Sequence, residues 1–225
     1  MAHAARLLRR QYRDSQHYWH AHPDEYPRRP VLLDLHYYHD ASLSGDRAET
    51  IRETVRESLG AFLRSDLARR IRAAGARNWL PIDRHAAARL EHRDGELLVL
   101  VKPDFAFREE DRLTIVDWKT GRPDPFWEGI QVTCYALYAA ERWSHPLEKI
   151  VPQIVHLYPS FRISDAECNV REARVFIAET QEELEALLAG DETPPIDRFP
   201  ITEDCTRCRW CPFRGVCEGG ARQAA

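Results

Sequence analysis

The chain has 225 residues, 44% of them hydrophobic and 30% charged, with a formal net charge of −4. That length admits one domain with appendages, and the hydrophobic content suffices for a core that buries well over half of the unfolded surface. The charge excludes a protein that coats polyanions over its whole surface, and no apolar run approaches the roughly twenty residues of a membrane span.

Residues 2–20 read as an Arg-rich helix. The opening "MAHAARLLRRQYRDSQ" lacks the apolar segment of a secretory leader, so a cytosolic protein is expected. The aromatic and histidine-rich "HYWHAHPDEY" could stack bases or hold a metal, and packing of an N-terminal helix against the core is the plainer reading. After a proline-broken stretch, Ile51, Val55, Leu59, Phe62, Leu67 and Ile71 form an apolar stripe that predicts one long helix over 46–74. Glu49, Glu53 and Glu57 on its other side read as a solvated face.

The period then changes. "AARLEH" and "ELLVLVKPDFAF" are separated by Arg93-Asp94-Gly95, and Asp-Gly predicts a hairpin turn. A second hairpin leads into "RLTIVDWK". Residues 125–143 predict an amphipathic helix and "KIVPQIVHLYP" another strand. A further hairpin is expected through "FRISDAECNVREARVFI", with a helix at 180–189. In the middle strand Leu113 and Ile115 point one way and Val116 and Trp118 the other, so helices should cover both faces of the sheet.

If the second turn is centred between Glu110 and Asp111, Asp104 faces Asp117 on a neighbouring strand, about 5 Å apart at the Cβ atoms. Lys119, two residues on, projects to the same face. Opposed like charges in a sheet are destabilising, and a divalent cation would offset that. Hard carboxylate oxygens suit Mg²⁺, which can polarise a phosphoryl oxygen and acidify a bound water. Lys119 would then position or deprotonate that water. A plain ion pair between Lys119 and Asp117 is the alternative. Lysine occurs only at 102, 119 and 149 among the 32 basic residues, so one placed directly after "DW" suggests a role specific to its amine.

"PD" at 103–104, "DWKTG" at 117–121 and "QVTCY" at 131–135 together resemble the PD-(D/E)xK nuclease superfamily, in its RecB-like branch. The resemblance implies a restriction-endonuclease-like α/β core of order αβββαβ, its central mixed sheet flanked by helices. It implies catalytic roles for Asp104, Asp117, Lys119, Gln131, Tyr135 and Glu91, with Mg or Mn at Asp104, Asp117 and Trp118. The indole of Trp118 is nonetheless expected on the opposite core face. The sequence departs from the pattern in having no histidine within 46–74 and no small residue shortly before Asp104. His36, His39 and His85 are possible substitutes for that histidine.

Four of the six cysteines fall in "CTRCRWCPFRGVC". In a cytosolic chain such clustering reads as metal or cluster ligation before disulfides. Cys205, Cys208, Cys211 and Cys217 fit a [4Fe–4S] cluster, with zinc as the alternative. The tail is similar to those of CRISPR-adaptation exonucleases and the AddB nuclease subunit, which draw one ligand from far upstream. No cysteine precedes Cys134 here, so Cys205 would have to supply it.

The expected organisation is an N-terminal helical extension (1–45), the nuclease core (46–190) and a linker with the cysteine lobe (191–225). The expected function is metal-dependent hydrolysis of DNA, single-stranded or with free ends, in repair, CRISPR adaptation or phage defence. A protein partner in a larger complex is possible. A catalytically inactive DNA-binding or assembly subunit is the alternative.

Overall fold

The computed structural model describes residues 2–20, 44–82, 86–92 and 95–202, together with 208, 211 and 217. Residues 57–192 form one unit, and residues 1–56 with 193–225 form another. Among the described residues no helix is long and apolar enough to cross a membrane.

In chain order the helices are α1 (Ala2–His20), α2 (Gly45–Arg64), α3 (Asp66–Ala74), α4 (Pro125–Arg142) and α5 (Val170–Leu188). The strands are β1 (Ala87–His92), β2 (Gly95–Leu100), β3 (Phe105–Glu109), β4 (Arg112–Lys119), β5 (Ile150–His156) and β6 (Arg162–Asp165). The fold is mixed α/β. Its central sheet has the order β3-β4-β5-β6, with β4 and β5 parallel and the outer pairs antiparallel.

Four expectations change. The single helix over 46–74 is two helices, because Ser65 caps the second: its Oγ accepts from the Ala68 N–H at 3.2 Å and donates to the Phe62 carbonyl at 2.6 Å. The long strand through "ELLVLVKPDFAF" stops at Leu100 and restarts at Phe105, so β1 and β2 form a separate two-stranded sheet. Pro103, which has no N–H for a ladder, lies in that break. The first turn comes one residue early, with Gly95 already on β2 opposite His92. Finally, "NVREARVFI" is helical: the Asn169 Oδ1 accepts from the Glu172 N–H at 3.1 Å and starts α5, so only β6 remains of the expected third hairpin.

The two-sided burial of β4 holds. Leu113 and Ile115 pack under α4 with Ala106, Tyr138 and Ala139, while Val116 packs with Phe107, Val155 and Leu67 of α3. The second face also carries a polar clamp. The Arg70 guanidinium donates from Nε to both Glu109 oxygens at 3.0 Å and from a terminal nitrogen to Thr114 Oγ1 at 3.2 Å, tying α3 to β3 and β4. Phe107 is fully buried in the middle of this layer. Phe107→Ala is expected to cost about 3–5 kcal/mol, read as a lower urea midpoint at unchanged slope.

Candidate active site

The β3–β4 hairpin sets the site. It pairs Phe105 with Val116 and Glu109 with Arg112, the register of a turn centred between Glu110 and Asp111. Glu110 stands at φ 51°, which suits a tight two-residue turn. One step beyond Phe105, Asp104 comes to the level of Asp117, and its Oδ2 accepts from the Trp118 main-chain N–H at 2.8 Å. Asp104 is exposed, whereas Asp117 is only 4% exposed. Lys119 Nζ lies 2.7 Å from Asp117 Oδ2 and donates to Gln131 Oε1 at 2.5 Å. Gln131 Nε2 in turn donates to the Tyr135 hydroxyl at 2.5 Å. Gln131 and Tyr135 share a face one turn apart on α4, which Asp124 starts by accepting from the Trp127 N–H.

These groups sit at the carboxyl ends of the parallel strands β4 and β5, where open α/β sheets leave a crevice. Burial pushes the Asp117 carboxyl above the usual carboxylate range. The Lys119 ammonium opposes that shift, and the charges of Asp104 and Glu128 add to it. Burial, with the nearby Asp117 charge, raises the Tyr135 phenol to about 12, so it stays a neutral partner for Gln131.

Asp117 Oδ2 is buried and, although close to Lys119, accepts no well-directed hydrogen bond. A buried carboxylate oxygen with spare acceptor capacity, facing a second acid, fits a hard divalent cation. Among the described residues no three His, Cys, Asp or Glu side chains converge on one point. The pair therefore suits an ion that keeps several of its waters, as Mg²⁺ does.

Two buried groups here were not anticipated. His156 ends β5 opposite Lys119, and its Nε2 is 3.4 Å from Glu128 Oε2. Glu128 Oε1 accepts from the Asp124 N–H at 3.2 Å, so this carboxylate both braces the start of α4 and adds negative charge beside Asp117. A histidine ending the apolar strand "KIVPQIVH" was the available signal, but its partner is remote in sequence.

The remaining expected residues divide. The Trp118 ring packs edge-on against Phe62 at 4.9 Å, on the far face of the sheet, so only its main chain borders the carboxylates. Glu91 lies on β1 opposite Glu96, in the two-stranded sheet and not the one that carries Asp104 and Asp117. Cys208, Cys211 and Cys217 are half-buried, and the Cys211 N–H closes a turn onto the Cys208 carbonyl at 3.2 Å. Cys205, His36, His39 and His85 lie outside the described residues. Cys134 is buried in α4, its thiol pushed up to about 11, in keeping with its reading as a small apolar residue.

Residues 5–218 match the PD-(D/E)XK nuclease superfamily, a span that includes the hairpin, α4 and the cysteine segment. The chain belongs to that superfamily. The crystal structure of SSO0001 is similar over 95% of this chain and 97% of that one, at 10% identity and a TM-score of 0.40. Among curated proteins none matches.

In this member of the PD-(D/E)XK superfamily the Lys119–Gln131–Tyr135 hydrogen-bond chain fixes the direction of the lysine. Gln131→Leu should lower single-turnover cleavage about 10–100-fold, as loss of supporting hydrogen bonds does around metal ligands, while melting stays within a few degrees of wild type.

Proposed function

We propose that the protein is a metal-dependent deoxyribonuclease of the RecB-like kind, acting on single strands or free ends. The observation that carries this reading is the convergence of Asp104, Asp117 and Lys119 at one strand end, beneath Gln131 and Tyr135. Asp104 and Asp117 would hold Mg²⁺ or Mn²⁺, with the Trp118 main chain beside them and Glu91 as an outlying acid. When bound, the metal supplies Lewis acidity toward the scissile phosphate and toward a water.

The chain's own residues do the rest. The Trp118 N–H fixes the Asp104 carboxylate so that its other oxygen is free to ligate. Lys119, held between Asp117 and Gln131, offers a compact cation, with its remaining donor capacity, to the attacking water and to the charge gathering on phosphorus. Tyr135, kept neutral, orients the Gln131 amide and so the direction in which Lys119 points.

Cys205, Cys208, Cys211 and Cys217 would bind a [4Fe–4S] cluster, or zinc, that pins the chain end without redox work. Absorbance near 400 nm after anaerobic purification separates the two. DNA repair, CRISPR adaptation and phage defence are the settings that fit, in the cytoplasm and within a larger complex. The test is a single-turnover assay on short labelled DNA with Mn²⁺. Metal-dependent products are expected; their absence from folded, metal-loaded protein would identify a DNA-binding or assembly subunit instead.

A further inference from the structure

Beside the carboxylate pair, the start of α4 carries aromatic surface that stays open among the described residues. Phe126, Trp127 and Phe176 of α5 make mutual edge-to-face contacts, with centroids 5.5, 5.3 and 5.0 Å apart. Such packing fixes the rings, yet Trp127 is 54% and Phe126 45% exposed. A ring already fixed and still exposed can accept a flat partner at little further entropic cost.

The surface is continuous with the site. A groove of about 420 Å³ is lined by Trp127 and Phe176 and also by Gln131 and Tyr135. Val99 supplies apolar lining, and Lys102, the exposed residue two before Asp104, contributes a cation. Stacking face, apolar lining and cation thus share one groove with Gln131, which accepts from Lys119. The combination matches an unstacked nucleotide: base for the indole, phosphate for the ammonium. A duplex keeps its base faces covered by its own stacking and cannot use the shelf.

We propose that Trp127, with Lys102, forms a base-stacking shelf that seats one unpaired nucleotide next to the catalytic centre and selects single-stranded substrate. This rests on the nuclease reading for the ligand's identity, so it is tested by binding without hydrolysis. Full-length protein in EDTA is titrated into a short fluorescein-labelled single strand and into the blunt duplex of the same sequence, followed by anisotropy.

Trp127→Ala should weaken single-strand binding about tenfold and leave duplex binding unchanged, and Trp127→Phe should keep most of the affinity. Lys102→Ala should lower the salt dependence of single-strand binding by about 0.7, the slope of one phosphate contact. Unaltered affinity in Trp127→Ala, or equal losses on both ligands, overturns the shelf. So does a wild-type protein that ignores single strands, which would make the aromatic trio a protein-docking surface. The two readings fail separately. A wrong shelf leaves Trp127→Ala cleaving single strands like wild type, whereas a wrong nuclease assignment leaves the Trp127 binding loss intact with no cleavage by any form.

Discussion

Lys119→Ala should lower single-turnover cleavage by about 10²–10⁴-fold, the range for losing a positioned proton-transfer or charge-stabilising group. Lys119→Arg should restore only part of it. A planar guanidinium keeps the charge but replaces the compact ammonium that now sits between Asp117 Oδ2 and Gln131 Oε1. Lys149→Ala is the control. Lys149 pairs with Asp111 at 3.1 Å, beside the β3–β4 turn and away from the carboxyl end of β4, and its loss should leave cleavage unchanged. Full activity in Lys119→Ala would return that residue to the role of a simple ion-pair partner.

Asp117→Asn should abolish cleavage and at the same time raise the melting temperature of metal-free protein by a few degrees. The sign follows from the raised pKa. A carboxyl that is harder to ionise when folded favours the native state below its unfolded pKa, and that advantage is lost as pH rises through the folded value. Above that folded value the ionised, buried Asp117 is therefore a net burden, even with Lys119 alongside. Mn²⁺ should reverse the ranking. At about a hundred times its dissociation constant it would stabilise wild type by about 2.7 kcal/mol, or roughly 5–11 °C at this chain length, and should not shift Asp117→Asn. Scanning calorimetry with and without Mn²⁺ reads both effects, and an equal metal-induced rise in the variant would remove Asp117 from the metal site.

Sequence reasoning reached the β3–β4 register because a two-residue turn between alternating strands leaves little freedom. Phe105, Phe107, Val116 and Trp118 must share one face once the turn is placed. The α4 pair Gln131 and Tyr135 was legible for a similar reason, since helical spacing alone puts them on one side. The break at Ser65 was hidden because the apolar stripe runs through it in phase: Phe62, Leu67 and Ile71 all reach the same core. "REARVFI" misled because its apolar residues suit a strand and a helix alike, and the Asn169 cap decided between them. The contact of Glu128 with His156, and that of Trp127 with Phe176, join segments that only tertiary packing brings together. No local period encodes either.

The turn at Glu110 and Asp111 also sets what change in length the molecule can absorb. Side chains alternate along a strand, so one residue added or lost there would carry Asp104 to the opposite face and swing Phe105 toward α4. Relatives that keep the chemistry should therefore hold this turn at constant length. The two residues act as a gauge block for the spacing of the carboxylates.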